Sequence, residues 1–238
     1  MTERSYAERC VADNLAQIRA NILAACSEAG RSPDSVRLLA VTKTVDAERI
    51  NAAIRMGVGQ IGENRVQEYL KKKDSLELSD VGVHLIGHLQ TNKVKQIVGQ
   101  VDMIESVDSV KLATAISNRS LELGIVTPIL IEVNIGGEEA KSGVAPENLQ
   151  NLLEEISSFK GISVRGLMTI PPILDTEEEK RAIFSKMYQL FVDIRAKKLD
   201  NISMQELSMG MSGDYREAIL EGSTIVRIGS ALFGDRQY

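Results

Sequence analysis

Three short stretches carry side chains fit for chemistry. In LLAVTKTVDAERI, residues 38–50, an apolar run leads straight into Lys43. Burying an ammonium there costs several kcal/mol unless it is paired or gives up its proton. A neutral lysine amine can instead attack an aldehyde and form an imine. In SMGMSGD, residues 208–214, Ser212 stands just ahead of a short helical pattern, DYREAILEG. In RIGSALFG, residues 227–234, Arg227 is followed by Gly229 and Ser230. Backbone N–H groups at such a glycine, with a nearby hydroxyl, suit a phosphate. Each stretch also has a plainer reading: a lysine paired with a buried carboxylate, or a glycine turn beside a surface arginine.

Other polar residues follow apolar runs: Glu63 and Asn64, His88 and Gln90, Glu105, Asn134 and the segment from Ser208. They include no histidine–carboxylate cluster with metal spacing and no carboxylate pair of the glycosidase kind. His84 and His88 would share a helix face, but VHLIGH with Gly87 reads as a strand. Four strand residues set the rings about 13 Å apart, too far to share one ion. Packing or hydrogen bonding is expected of both, with His88 the nearer to a strand end.

The elements that must position these residues alternate regularly. After a helix of apolar period over residues 6–29 come the strand patterns VRLLAVT, QIGEN, VHLIGHL, MIESV, PILIEVNI, VRGLMTI, SMQELSMG and STIVRIG. Helical patterns separate them, the longest being TEEEKRAIFSKMYQLFVDIRAKK, with acids first and bases last to complement its dipole. Strands alternating with helices imply a parallel sheet with crossover connections. Eight such units predict an α/β fold, a single (β/α)8 TIM barrel with an extra N-terminal helix over residues 1–30. A doubly wound open sheet is the alternative. No Pro/Gly/Ser-rich linker divides the chain, so residues 1–238 are expected to form one domain.

The totals agree with this. A net charge of −5, 4% aromatic residues and no tryptophan argue against a dedicated nucleic-acid binder. No apolar run approaches the ~18 residues a membrane span needs. The polar start MTERSYAERC has no signal-peptide core, which makes the cytoplasm the expected location. Cys10 and Cys26 fall in one helical segment, about 24 Å apart at ~1.5 Å per residue, so they cannot pair within it.

In a parallel barrel the active site gathers at the C-terminal strand ends, with phosphate held after strands seven and eight. Period-two alternation puts Ile225, Arg227 and Gly229 on one face of the last strand. If that face is the interior, Lys43 looks across the mouth at a phosphate cradle of Ser212, Gly229 and Ser230. Partial burial lowers a lysine's pKa and so supplies the neutral amine. Pyridoxal 5′-phosphate combines the aldehyde and the phosphate that such a site would take.

LLAVTKTVDAERI, IGENRVQEYL, HLIGHLQTNKVK, LIEVNIGGEEAKSGV, GLMTIPP, LSMGMSGDY and GSTIVRIGSALFG together resemble the YggS/PROSC family of pyridoxal phosphate homeostasis proteins. The likeness runs in order over residues 38–234. It implies the barrel type shared with alanine racemase and pyridoxal 5′-phosphate bound as a Schiff base on Lys43. It implies phosphate on Ser212, Gly229 and Ser230, Arg227 near the pyridine nitrogen, and Asn64 beside the cofactor.

An arginine at that nitrogen keeps it unprotonated and weakens the ring as an electron sink. The sequence ends at Tyr238, four residues after GSTIVRIGSALFG, without the second domain and tyrosine base of an alanine racemase. The expectation is therefore a protein of intracellular cofactor homeostasis without robust turnover and with no catalytic residue or metal. A racemase is the enzymatic alternative, and a phosphate-sugar barrel enzyme with Lys43 as base fits less well. Tyr215 and His88 are the candidates for a racemase's second proton group. The expected partners are the cofactor and, transiently, apoenzymes that use it; the expected state is a monomer, with no nucleic acid and no membrane.

Overall fold

A computed structural model describes residues 3–138 and 141–234. In chain order the elements are α1 (Glu3–Glu28), β1 (Arg37–Val41), α2 (Ala47–Arg55), β2 (Gln60–Glu63), α3 (Val66–Lys72) and β3 (Gly82–Leu85). Next come α4 (Val94–Ile97), β4 (Met103–Val107), α5 (Val110–Glu122), β5 (Thr127–Glu132), α6 (Leu149–Ile156) and β6 (Ile162–Met168). The chain continues with α7 (Glu177–Lys197), β7 (Ile202–Met211), α8 (Tyr215–Leu220), β8 (Ile225–Ile228) and α9 (Ser230–Phe233). The strands pair in sequence order, all parallel, and β8 returns to β1, so the barrel is closed. The α/β barrel with an N-terminal helix is thus present, and the open-sheet alternative is not. Residues 1 and 2 of the expected helix, residues 235–238 of the expected domain, and Glu139 and Ala140 of the LIEVNIGGEEAKSGV motif lie outside the described residues.

Local sequence explains the boundaries. Asp46 caps α2 by accepting from Arg49 N at 2.9 Å. Thr176 and Glu179 form a reciprocal capping box on α7, whose first turn is acidic and whose last turn is basic. Several expected elements are shorter, the third strand and the helix after it among them. The third strand was expected to reach Leu89 but ends at Leu85. Gly87 explains this, because its backbone lies against Asn64: a Cβ there would meet the Asn64 carbonyl oxygen at 2.3 Å. The chain leaves the ladder to make that contact. The helix expected over residues 92–100 is α4 alone, preceded by a 3₁₀ turn and followed by Gly99 at φ +83°.

Strand alternation sorts the apolar residues into two clusters. Leu39, Val41, Ile86 and Ile225 pack together inside the barrel. The larger cluster fills the layer between strands and helices, and includes Ile61, Ile104, Ile129, Ile131 and Val226. Helix α1 packs against α2, α8 and α9 through Val11, Leu15, Ile18 and Ile22. Its Asn14 side chain donates to the Leu232 carbonyl at 3.0 Å, bracing α9 from behind. Cys10 and Cys26 are both free, and burial pushes the Cys26 thiol up from its ordinary value. Among the described residues no helix is long and apolar enough to cross a membrane.

Candidate functional site

Lys43 belongs to the inward face because it follows Leu39 and Val41 in steps of two. Register places Leu39 beside Arg227, and Gly62 beside both Val41 and His84. Arg227 and Ile225 therefore face inward, which is the case the sequence had left conditional. At the C-terminal mouth lies a cavity of about 290 Å³. Lys43, Asn64, Ser212, Arg227, Gly229 and Ser230 all line it, with apolar walls from Val41, Ile86, Ile170 and Met211. The six residues singled out in the sequence meet in one place. A larger groove, about 1080 Å³, opens elsewhere between α7, the start of β7 and the turn before β8. It collects none of these strand-end residues.

The other candidates lie apart from the cavity. His88 is 58% exposed, with Nδ1 3.8 Å from Asp108 Oδ2. Asn134 donates to the carbonyl oxygens of Glu138 and Lys141 in its own loop. Tyr215 starts α8 and accepts a hydrogen bond from Asn21 of α1 at 2.9 Å, which is a packing role. Glu63 points outward beneath α3, where Lys72 Nζ meets its Oε1 at 2.7 Å. Glu63 is thus engaged by Lys72. Burial raises the Glu63 carboxyl above its ordinary value, against the pull of Lys72 and Thr42.

Ser212 ties the ends of β7 and β8 together. Its Oγ accepts from the N–H groups of Gly229 at 3.3 Å and Ala231 at 3.2 Å. A hydroxyl has two acceptor lone pairs and one hydrogen, so the Ser212 hydrogen is left to donate. Ser230 follows at the first position of α9 with its side chain exposed at the mouth. A Cβ on Gly229 would stand 3.3 Å from Val41 Cβ, so glycine keeps that floor low. Asn64 Oδ1 is buried in the cavity wall and finds no partner among the described residues. Such an orphaned acceptor wants a donor from a ligand. Positive charge, a hydroxyl–amide cradle, an amine and an orphaned acceptor fit a phosphorylated aldehyde bearing a ring hydroxyl.

Arg227 stands at the end of a buried polar chain that local spacing did not reveal. His84 Nδ1 donates to Glu105 Oε1 at 2.6 Å, and Ser208 Oγ donates to Glu105 Oε2 at 2.6 Å. Arg227 donates to Ser208 Oγ at 2.8 Å and to the Thr169 carbonyl at 2.7 Å. Burial alone would raise the Glu105 carboxyl. The hydrogen bonds from His84 and Ser208 and the charge of Arg227 outweigh it and hold Glu105 below its ordinary value. Burial lowers Arg227, opposed by Glu105, Asp214 and Glu132. His84 is therefore hydrogen-bonded, as expected, and the guanidinium that faces the cavity is fixed from below. Among the described residues no group of three or more His, Cys, Asp or Glu could hold a metal.

The family model described as the alanine racemase N-terminal domain matches residues 14–237 of this chain. Within that class the chain belongs to the family of pyridoxal phosphate homeostasis proteins. It is 46% identical over 226 residues to the pyridoxal phosphate homeostasis protein of Aquifex aeolicus, covering 95% of this chain and 98% of that one. With the protein of the same name from Escherichia coli K12 it is 39% identical over 232 residues, covering 96% and 97%. Its fold superposes on PipY of Synechococcus elongatus, solved with PLP bound, at TM-score 0.83 and 34% identity, over 94% of this chain and all 100% of that one. Alanine racemase of Clostridium difficile, 16% identical with TM-score 0.69, shares the fold over 96% of this chain and 57% of its own.

Proposed function

We propose that this chain binds pyridoxal 5′-phosphate at the barrel mouth, holds it on Lys43 and keeps it reversibly available within the cell, without robust turnover of a substrate. One observation carries the reading: Lys43, Asn64, Arg227 and the Ser212–Gly229–Ser230 cradle converge on a single cavity. The names of its relatives, and the PLP described in PipY, support the same choice of cofactor. Bound there, the cofactor supplies an aldehyde that condenses reversibly with an amine. The chain's own residues then have distinct roles. The Ser212 and Ser230 hydroxyls would hold the phosphate over the Gly229 floor, and Asn64 would accept from the ring side. Arg227, a donor with no acceptor, would stand on the side of the pyridine nitrogen and would favour its unprotonated form. Ile86, Ile170 and Met211 exclude water from the lysine amine. The reading takes residues 1–238 as one cofactor-binding domain, monomeric and cytoplasmic, in transient contact with apoenzymes.

Removing the Ser212 hydroxyl should separate phosphate binding from ring binding. Ser212→Ala and Ser230→Ala are each expected to weaken pyridoxal 5′-phosphate by about 1 to 3 kcal/mol, the worth of a hydrogen bond to a charged group. Pyridoxal, which lacks the phosphate, should bind both variants as it binds the wild type. Titration calorimetry with the two ligands reads this directly, and equal losses would mean a damaged pocket.

Carrier and racemase differ in proton chemistry. Racemisation needs acid–base groups on both faces of the substrate. Among the described cavity-lining residues the titratable side chains are Lys43 and Arg227, and Tyr215 is engaged by Asn21. Incubated with L-alanine or other amino acids in deuterium oxide, the loaded protein is expected to place no deuterium at the α-carbon at an enzyme-like rate. Exchange at ~1 s⁻¹ or faster, within the ordinary enzymatic range, would replace the carrier with a racemase.

A further inference from the structure

Lys43 lies between two threonines whose backbones are both gripped by α3. Lys72 Nζ donates to the Thr42 carbonyl at 2.8 Å and to Glu68 Oε1 at 3.1 Å, and forms an ion pair with Glu63 Oε1 at 2.7 Å. The same Glu68 oxygen accepts from the Thr44 backbone N–H at 2.6 Å. Thr42 Oγ1 hydrogen-bonds Glu63, and both residues are fully buried. The grip is therefore two-sided: the carbonyl before Lys43 goes to Lys72 and the N–H after it goes to Glu68.

A strained conformation shows why the grip is needed. Thr44 has φ +62°, in the left-handed region that β-branched residues avoid. The turn that ends β1 and aims Lys43 at the cavity is thus unfavourable in isolation. A charge-assisted hydrogen bond from Thr44 to a carboxylate offsets that strain. Glu68 is held in turn by Lys72 one helical turn later, and Lys72 by the buried Glu63. The cluster touches neither the cavity nor any reacting atom.

We propose that Glu68 and Lys72 are positioning residues for Lys43: by clamping Thr42 and Thr44 they fix where its amine enters the cavity. The inference rests on the cofactor reading above. Lys43 attaches when its amine nitrogen adds to the aldehyde carbon, the carbonyl oxygen leaves as water, and a carbon–nitrogen double bond remains. That addition is fastest when the amine is already in place, so loosening the turn slows attachment without altering the phosphate cradle.

Glu68→Ala and Glu68→Gln test this, since the glutamine amide keeps an oxygen for the Thr44 N–H. Two readouts are needed. Amide hydrogen exchange at Thr44, measured without cofactor, is expected to quicken at least tenfold in Glu68→Ala and much less in Glu68→Gln. Covalent attachment of pyridoxal 5′-phosphate, followed by stopped-flow absorbance, should slow about tenfold in Glu68→Ala and stay near wild type in Glu68→Gln. Affinity for pyridoxine 5′-phosphate, which carries an alcohol in place of the aldehyde, should remain within twofold throughout. Unchanged attachment in Glu68→Ala overturns the clamp, as does an equal loss for both ligands. If the wild type never attaches the aldehyde, the cofactor reading fails. Thr44 exchange then decides the clamp separately, and an unchanged rate in Glu68→Ala rejects it.

Discussion

Replacing Lys43 by alanine is expected to abolish covalent retention of pyridoxal 5′-phosphate. The wild type should keep its cofactor and its visible absorbance through gel filtration, whereas Lys43→Ala should emerge colourless. No nearby lysine is placed to substitute. Lys43 is the lysine among the described residues lining the cavity, while Lys72 is engaged behind Thr42 by two carboxylates. Lys141 is paired with Glu138 and donates to the Pro171 carbonyl at 3.3 Å. The phosphate cradle is untouched by the change, so reversible binding of pyridoxine 5′-phosphate should survive. A variant that stays coloured and carries a borohydride-fixed adduct on another lysine would show the anchor to be elsewhere.

The second large effect concerns stability. Glu105→Ala removes the carboxylate that accepts from His84 and Ser208 and balances Arg227 inside the barrel. Taking one member from a buried charged set strands the others, at a cost of about 3 to 5 kcal/mol. The urea midpoint of the variant should fall accordingly at neutral pH. Acid should narrow the gap. Glu105 is held below its ordinary value in the folded chain, so its contribution is complete above the unfolded value, about pH 4.3. It is lost as pH falls through the lower folded value. The difference between wild type and Glu105→Ala is therefore expected to shrink below about pH 4. Equal midpoints at pH 7 would mean that the chain His84–Glu105–Ser208–Arg227 holds nothing in place.

Much of the barrel was legible because crossover helices leave a periodic trace and short β-branched runs lie between them. The six cavity residues were legible for a related reason. Each lies at or just past the end of an apolar run, the mouth of a parallel barrel, but Glu63, His88, Gln90, Glu105 and Asn134 share that position, and the family resemblance is what singled out Asn64. What local pattern could not give is contact between distant strands. His84 to Glu105, Glu105 to Ser208, and Ser208 to Arg227 span 21, 103 and 19 residues, and only the closed barrel unites them. Glu68 and Lys72 stand four apart on α3, and nothing in that spacing shows that Thr42 and Thr44 lie beneath them. The end of β3 was misjudged because Gly87 leaves the ladder for a tertiary reason, its close contact with Asn64. The four-residue α9 was missed because SALF is too short to carry a helical period.

The most direct test of the account is to load the wild-type protein with pyridoxal 5′-phosphate, reduce it with borohydride and map the digest by mass spectrometry. The account predicts one modified lysine, Lys43, at near-stoichiometric occupancy, with the phosphate retained on the adduct. No adduct, or an adduct centred on any other lysine, would contradict it.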